Sequence, residues 1–153
     1  MLGGEGGIPI YAENLVRALA RLGGHTLVLW AGSRRMREGV RQYAPSGAQI
    51  VEPGFAGRLI ARAGLFARAN PLPVEWMVGR VDVFHGLNYL LPSHRGRAVR
   101  VVTVHDLSLL RHPEWHPTVR ARLHRWPMRA TLRGAHHVIT AAEAVRREII
   151  EEV

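Results

Sequence analysis

Short, unbroken apolar runs separated by helix-patterned segments constrain this chain more than any other feature. The runs lie in "HTLVLWAG", "AQIVEP", "RVDVFHGLN", "VRVVTV" and "AHHVIT". They do not alternate apolar with polar residues, which is the pattern of strands buried on both faces. Between them stand segments of helical period. In "IPIYAENLVRALARLGG" the residues Ile10, Leu15, Ala18, Leu19 and Leu22 fit one stripe, and Gly23-Gly24 supply a stop. "SRRMREGVRQYA", "GRLIARAGLFARA", the stretch from Thr118 to Arg133 and "AAEAVRREIIEEV" also read as helices. Pro127 should kink or divide the third of these. "NPLPVEWM" reads as a broken connection. Alternating strand and helix predicts an α/β fold, doubly wound, with a mostly parallel sheet.

A chain of 153 residues, 47% hydrophobic and 22% charged, suits one globular domain over 1–153 and is short for two. It has no cysteine, which excludes disulfide and thiol chemistry. No apolar run approaches the roughly 18 residues of a membrane span. The opening "MLGGEGGIPIYAENL" lacks the basic start and apolar middle of a signal peptide. A cytoplasmic location, extending to the inner face of the membrane, is the expectation. All 21 basic residues are Arg, and the net charge of +9 implies attraction to phosphates.

In open α/β sheets ligands gather at the carboxyl ends of the strands. His85, Gly86 and Asn88 follow "RVDVF"; His105 and Asp106 follow "RVVTV"; Thr140 and Glu143 follow "HHVI". Three strands thus deliver polar side chains to one edge, with His105 at the mouth of a cleft. Plainer readings stand beside this one. His85 can serve a nearby carbonyl, Asp106 can cap the following turn, and Thr140 with Glu143 forms a T-x-x-E capping box. Gly6-Gly7 ahead of a helix leaves amide N–H groups at its positive end, a geometry that holds phosphate. Pro9 fits the first helical turn, where its missing N–H matters little.

"GGIPIYAENLVRAL", "DVFHGLNYLLP", "VVTVHDLSLLRHPEWHP" and "HHVITAAEAVRREI" together resemble the amino-terminal domain of the retaining glycosyltransferases of family four. The likeness covers most of the chain, and the "VHDLSxLxHPEWxP" stretch is its most specific part. It implies a Rossmann-like half of a GT-B enzyme. Such an enzyme moves a sugar from a nucleotide-sugar donor to an acceptor hydroxyl with retention, and needs no metal or other cofactor. Carried onto this sequence, Gly6 and Gly7 lie against the donor phosphates and His105 approaches the transferred sugar. Asn88 and Asp106 are second-line contacts to acceptor or loop. His85 and Glu143, by their place at the same edge, are further candidate substrate contacts.

Three departures from the family pattern stand out. The apolar strand that usually precedes the glycine loop is missing, which should leave a seam in mid-sheet. Pro9 replaces a second glycine. No carboxyl-terminal donor-binding domain with its E-x7-E segment follows Val153, so the fragment alone should be inactive.

Other partners are compatible with the composition. Arg122, Arg125, Arg129 and Arg133, with the smaller pair Arg58 and Arg62, form basic faces suited to an anionic membrane surface. A non-catalytic domain binding a sugar or a partner, and a homodimer across the cleft face, are further readings. Nucleic acid is disfavoured, because no recognition motif accompanies the charge. His105, His112 and His116 have suggestive spacing for a metal, but no carboxylate cluster completes a site.

Overall fold

The computed structural model describes residues 6–31, 34–52, 73–91 and 96–153. The chain divides into two compact units, Met1–Arg62 with Trp76–Gly79, and Ala63–Glu75 with Arg80–Val153. The expected helix in "GRLIARAGLFARA", with Arg58 and Arg62, lies outside the described residues.

The first unit runs α1 (Gly7–Leu22), β1 (Val28–Trp30), α2 (Arg34–Tyr43) and β2 (Gln49–Val51). β1 and β2 pair in parallel, with Val28 opposite Gln49 and Trp30 opposite Val51. Gly6 caps α1 at φ 115°, Pro9 sits in its first turn, and Gly23 and Gly24 end it at φ 65° and 74°. These left-handed angles strain any side-chain-bearing residue, so glycine makes this stop possible. The buried face of α1 differs from the expected stripe. It centres on Ala12 and Val16, whereas Ile10 is 59% and Leu22 78% exposed. At about 100° per residue, this turns the face by roughly a quarter of a turn. Leu22 lies at the helix end. Arg37 of α2 bonds both carboxylate oxygens of Glu52, at 3.0 Å each.

The second unit holds a three-stranded parallel sheet in the order β3 (Val83–Gly86), β4 (Val99–Thr103), β5 (His137–Ile139). Among the described residues no ladder joins this sheet to β1-β2. Ahead of β3, the proposed broken connection contains a short helix, α3 (Val74–Val78). Pro73 stands immediately before this helix, where its missing N–H matters little. Glu75 accepts a hydrogen bond from the Gly96 amide at 2.7 Å.

After β4 come α4 (Ser108–Arg111), a 3₁₀ turn (Pro113–Trp115) and α5 (Thr118–Gly134); α6 (Glu143–Glu152) follows β5. α5 continues through Pro127 without being divided, so of the two expected outcomes division does not occur. Met128, Thr131 and Leu132, the buried face just beyond the proline, anchor that half of the helix. Val102, Val104, Leu107, Leu109, Leu110, Met128, Leu132 and Ile149 form the core. They cover one face of the sheet with α4, α5 and α6. Arg111 and Arg129 hold the end of α6 through Glu151 and Glu152. No helix among the described residues is long and apolar enough to cross a membrane.

Candidate functional site at the carboxyl ends of β3 and β4

Strand alternation places Val102 and Val104 toward the core and leaves Val101, Thr103 and then His105 with the opposite parity. Register brings His85 opposite Val101 and Gly86 opposite Val102. His85 Nε2 lies 2.8 Å from Thr103 Oγ1. Thr103 is only 2% exposed, so this bond satisfies a hydroxyl that water scarcely reaches. Burial also lowers the His85 pKa from its ordinary value and favours the neutral ring.

His105 is fixed by the neighbouring loop. Its Nε2 is 3.1 Å from the Leu87 carbonyl oxygen. A carbonyl only accepts, so Nε2 carries the proton in this bond. Two residues on, the Tyr89 amide donates to the Thr103 carbonyl at 3.0 Å. Three hydrogen bonds therefore fasten the exit of β3 to the end of β4. Gly86 makes this possible, because a Cβ there would stand 2.6 Å from the Leu90 carbonyl oxygen. Asn88 is held between pinned Leu87 and Tyr89, and its own amide side chain makes no hydrogen bond to a described residue.

Asp106 is exposed and closes an Asx-type turn leading into the next helix, whose N-cap is Leu107. Its Oδ1 accepts from the Ser108 amide at 2.9 Å and from Ser108 Oγ at 2.5 Å. Having donated its proton to Asp106, Ser108 Oγ accepts from His116 Nε2 at 2.8 Å. The plainer reading of Asp106 as a turn-capping residue thus holds, and its Oδ2 makes no hydrogen bond among the described residues.

At β5 the arrangement differs from the expected capping box. Ala142, not Thr140, is the N-cap of α6, with no side-chain cap bond. Among the described residues, buried Thr140 Oγ1 has no hydrogen-bond partner. The helix starts too late for the T-x-x-E spacing to place Thr140 at its cap. Glu143 is exposed at the first position and pairs with Arg146 at 3.0 Å and Arg147 at 3.8 Å on its own helix.

The structure therefore brings together His85, Asn88, His105 and Asp106 on adjoining strand ends, while Glu143 is committed to α6. Gly6 and Gly7 belong to the first unit. There the start of α1 has no side-chain cap, and Pro9 removes one of the amides a phosphate would use.

The basic-face expectation is altered too. Arg129 is paired with Glu152 at 3.0 Å, and Trp126, Ala130 and Glu151 share the groove with Arg129 and Arg133. The side chain of Arg122 lies outside the described residues. Among the described residues no group of three His, Asp or Glu side chains is placed to hold a metal. His112 instead pairs with Glu114 at 3.2 Å.

Sequence reasoning missed Thr103 and Ser108, and weighed His116 only for a metal, whereas it bonds Ser108. Thr103 looked like one more strand residue, and an eight-residue separation of Ser and His carries no motif.

Parallel strands present imidazoles, an amide and a carboxylate from their carboxyl ends, the edge at which open α/β sheets generally bind ligands. The family model described as Glycosyltransferase Family 4 matches residues 5–153. This chain belongs to that family. It is also 33% identical over 107 residues to an O-antigen chain mannosyltransferase B of Escherichia coli, covering 61% of this chain. The matched part spans 26% of that relative's length. No solved structure matches.

Proposed function

We propose that this chain is the acceptor-side, amino-terminal half of a GT-B glycosyltransferase. The enzyme moves a hexosyl group from a nucleotide sugar to an acceptor hydroxyl with retention and without a metal. Besides the family, the main support is His105, fixed at a strand end with Nε2–H donated to Leu87. That bond orients the ring, so the imidazole can place the transferred sugar without first losing rotational freedom.

Asn88 and Asp106 Oδ2 are the acceptor contacts, and His85 supports them from the sheet through Thr103. Glu143 joins them only by leaving an arginine partner. Gly6 and Gly7 serve the donor phosphates, where departure of the nucleoside diphosphate builds negative charge that N–H donors stabilise. Mannose is the first sugar to test, because the E. coli relative is called a mannosyltransferase.

Transfer from nucleotide sugars should be assayed for the 153-residue chain alone and joined to a carboxyl-terminal donor-binding domain. Turnover only in the joined form is expected. Steady turnover by the chain alone would overturn the division of labour between halves.

A further inference from the structure

The segment that leaves β4 at His105 carries an exposed aromatic pair with no part in the site described so far. Trp115 and His112 stack with ring centroids 4.0 Å apart and planes 10° from parallel. Trp115 is nevertheless 68% exposed, so one face is backed and much of the indole is open.

The pair is held in place. Pro113 begins the 3₁₀ turn, the Trp115 amide donates to the His112 carbonyl at 3.0 Å, and His112 Nδ1 meets Glu114 Oε1 at 3.2 Å. The His116–Ser108 bond then folds the far end of the segment back to the residue beside Asp106's cap. This returns Trp115, the immediate neighbour of His116, toward the carboxyl end of β4. An indole immobilised before binding loses little entropy when a flat ligand lies on it.

We infer that Trp115, backed by His112, is a stacking platform for a pyranose ring of a neutral acceptor glycan, with Glu114 accepting from its hydroxyl groups. The inference rests on the acceptor-side reading above and adds a subsite to it. A pyranose offers an apolar C–H face ringed by hydroxyl donors, matching an indole face beside a carboxylate. The local charge argues against phosphate-bearing ligands. Glu114 stays ionised, because its own backbone amide first, and His112 second, hold its pKa low. A carboxylate at the platform edge repels an anionic lipid surface or a nucleic acid but accepts from a sugar hydroxyl.

The test uses the indole N–H resonances of the 153-residue chain, with Trp115 assigned through Trp115→Phe. Titration with a neutral mannose tetrasaccharide should shift the Trp115 resonance saturably. Trp115→Ala should weaken binding about tenfold, the scale of one lost aromatic stack. Trp126→Ala should bind like the parent, and the remaining resonances report whether each variant is folded. No saturable Trp115 shift, equal binding by folded Trp115→Ala, or a shift seen only with phosphatidylglycerol vesicles would each overturn the proposal. Failure here with sugar transfer intact in the joined enzyme would remove the platform alone. Loss of transfer in the unmutated joined enzyme would instead count against the acceptor-side reading.

Discussion

Ser108 and His116 are joined by a 2.8 Å hydrogen bond, and the Ser108 hydroxyl donates its own hydrogen bond to Asp106 Oδ1. This hydroxyl fixes both a carboxylate and an imidazole eight residues downstream. It closes the segment that follows His105 into a loop with one permitted proton arrangement.

Ser108→Ala should lower stability by about 1–3 kcal/mol, because half-buried His116 loses its acceptor and Asp106 keeps only the amide bond. Urea unfolding measures the change. Nitrogen-15 spectra should also show His116 losing its strong preference for the Nε2–H form. An unchanged tautomer would mean that Ser108 does not set it.

Gly86→Ala should destabilise by about 1–3 kcal/mol, the usual range when a well-packed site is overfilled. The added Cβ meets the Leu90 carbonyl oxygen at 2.6 Å and Leu91 Cδ2 at 3.0 Å. Since the first of these is backbone, the loop carrying Asn88 must move. Thermal unfolding tests the stability, and amide shifts of residues 87–91 test the displacement.

His85 makes stability depend on pH. Burial lowers its folded pKa below the ordinary value, so the unfolded chain takes up this proton more readily. Stability from this residue is therefore intact above about pH 6.5, the ordinary histidine pKa, and declines as pH falls through the lowered folded value. His85→Gln retains a donor for Thr103 without titrating. Urea midpoints between pH 5 and 8 should fall less on the acidic side for this variant than for the parent.

Leu107→Ala should cost about 2–5 kcal/mol, as expected for a large buried aliphatic residue. Leu107 is 1% exposed and belongs to the core beneath α4. Its removal should therefore loosen the loop after His105 as well as the fold, visible as faster amide exchange at Ser108 and Leu110.

Much of the architecture was legible before any coordinates. Apolar runs such as "VRVVTV" became parallel strands as expected, although burial on both faces did not follow throughout, since β5 is exposed along its length. Gly23 and Gly24 ended α1 because they accept left-handed angles. His85, Asn88 and His105 reached one edge because strand ends in this topology converge there.

What stayed hidden had weak local signals. Four-residue α4 is too short to display a helical period. The face of α1 was misplaced because Leu22 looks more buriable than Ala12, although packing selected the smaller residue. Thr140 and Glu143 satisfied a capping pattern, yet the helix began at Glu143 itself. The Ser108–His116 bond depends on two helical turns folding back on each other, and sequence spacing does not encode that.

The decisive measurement is sugar transfer by the chain joined to a donor-binding domain, comparing the parent with His105→Ala and His105→Gln. With His105 placing the transferred sugar, alanine should reduce kcat by about 100-fold or more, in line with losing a preorganised polar contact in the transition state. The acceptor KM should change little, and glutamine, which can still donate to the Leu87 carbonyl, should recover part of the rate. A kcat for His105→Ala within about twofold of the parent, less than 1 kcal/mol of barrier, would contradict the assignment of this histidine to the reacting sugar.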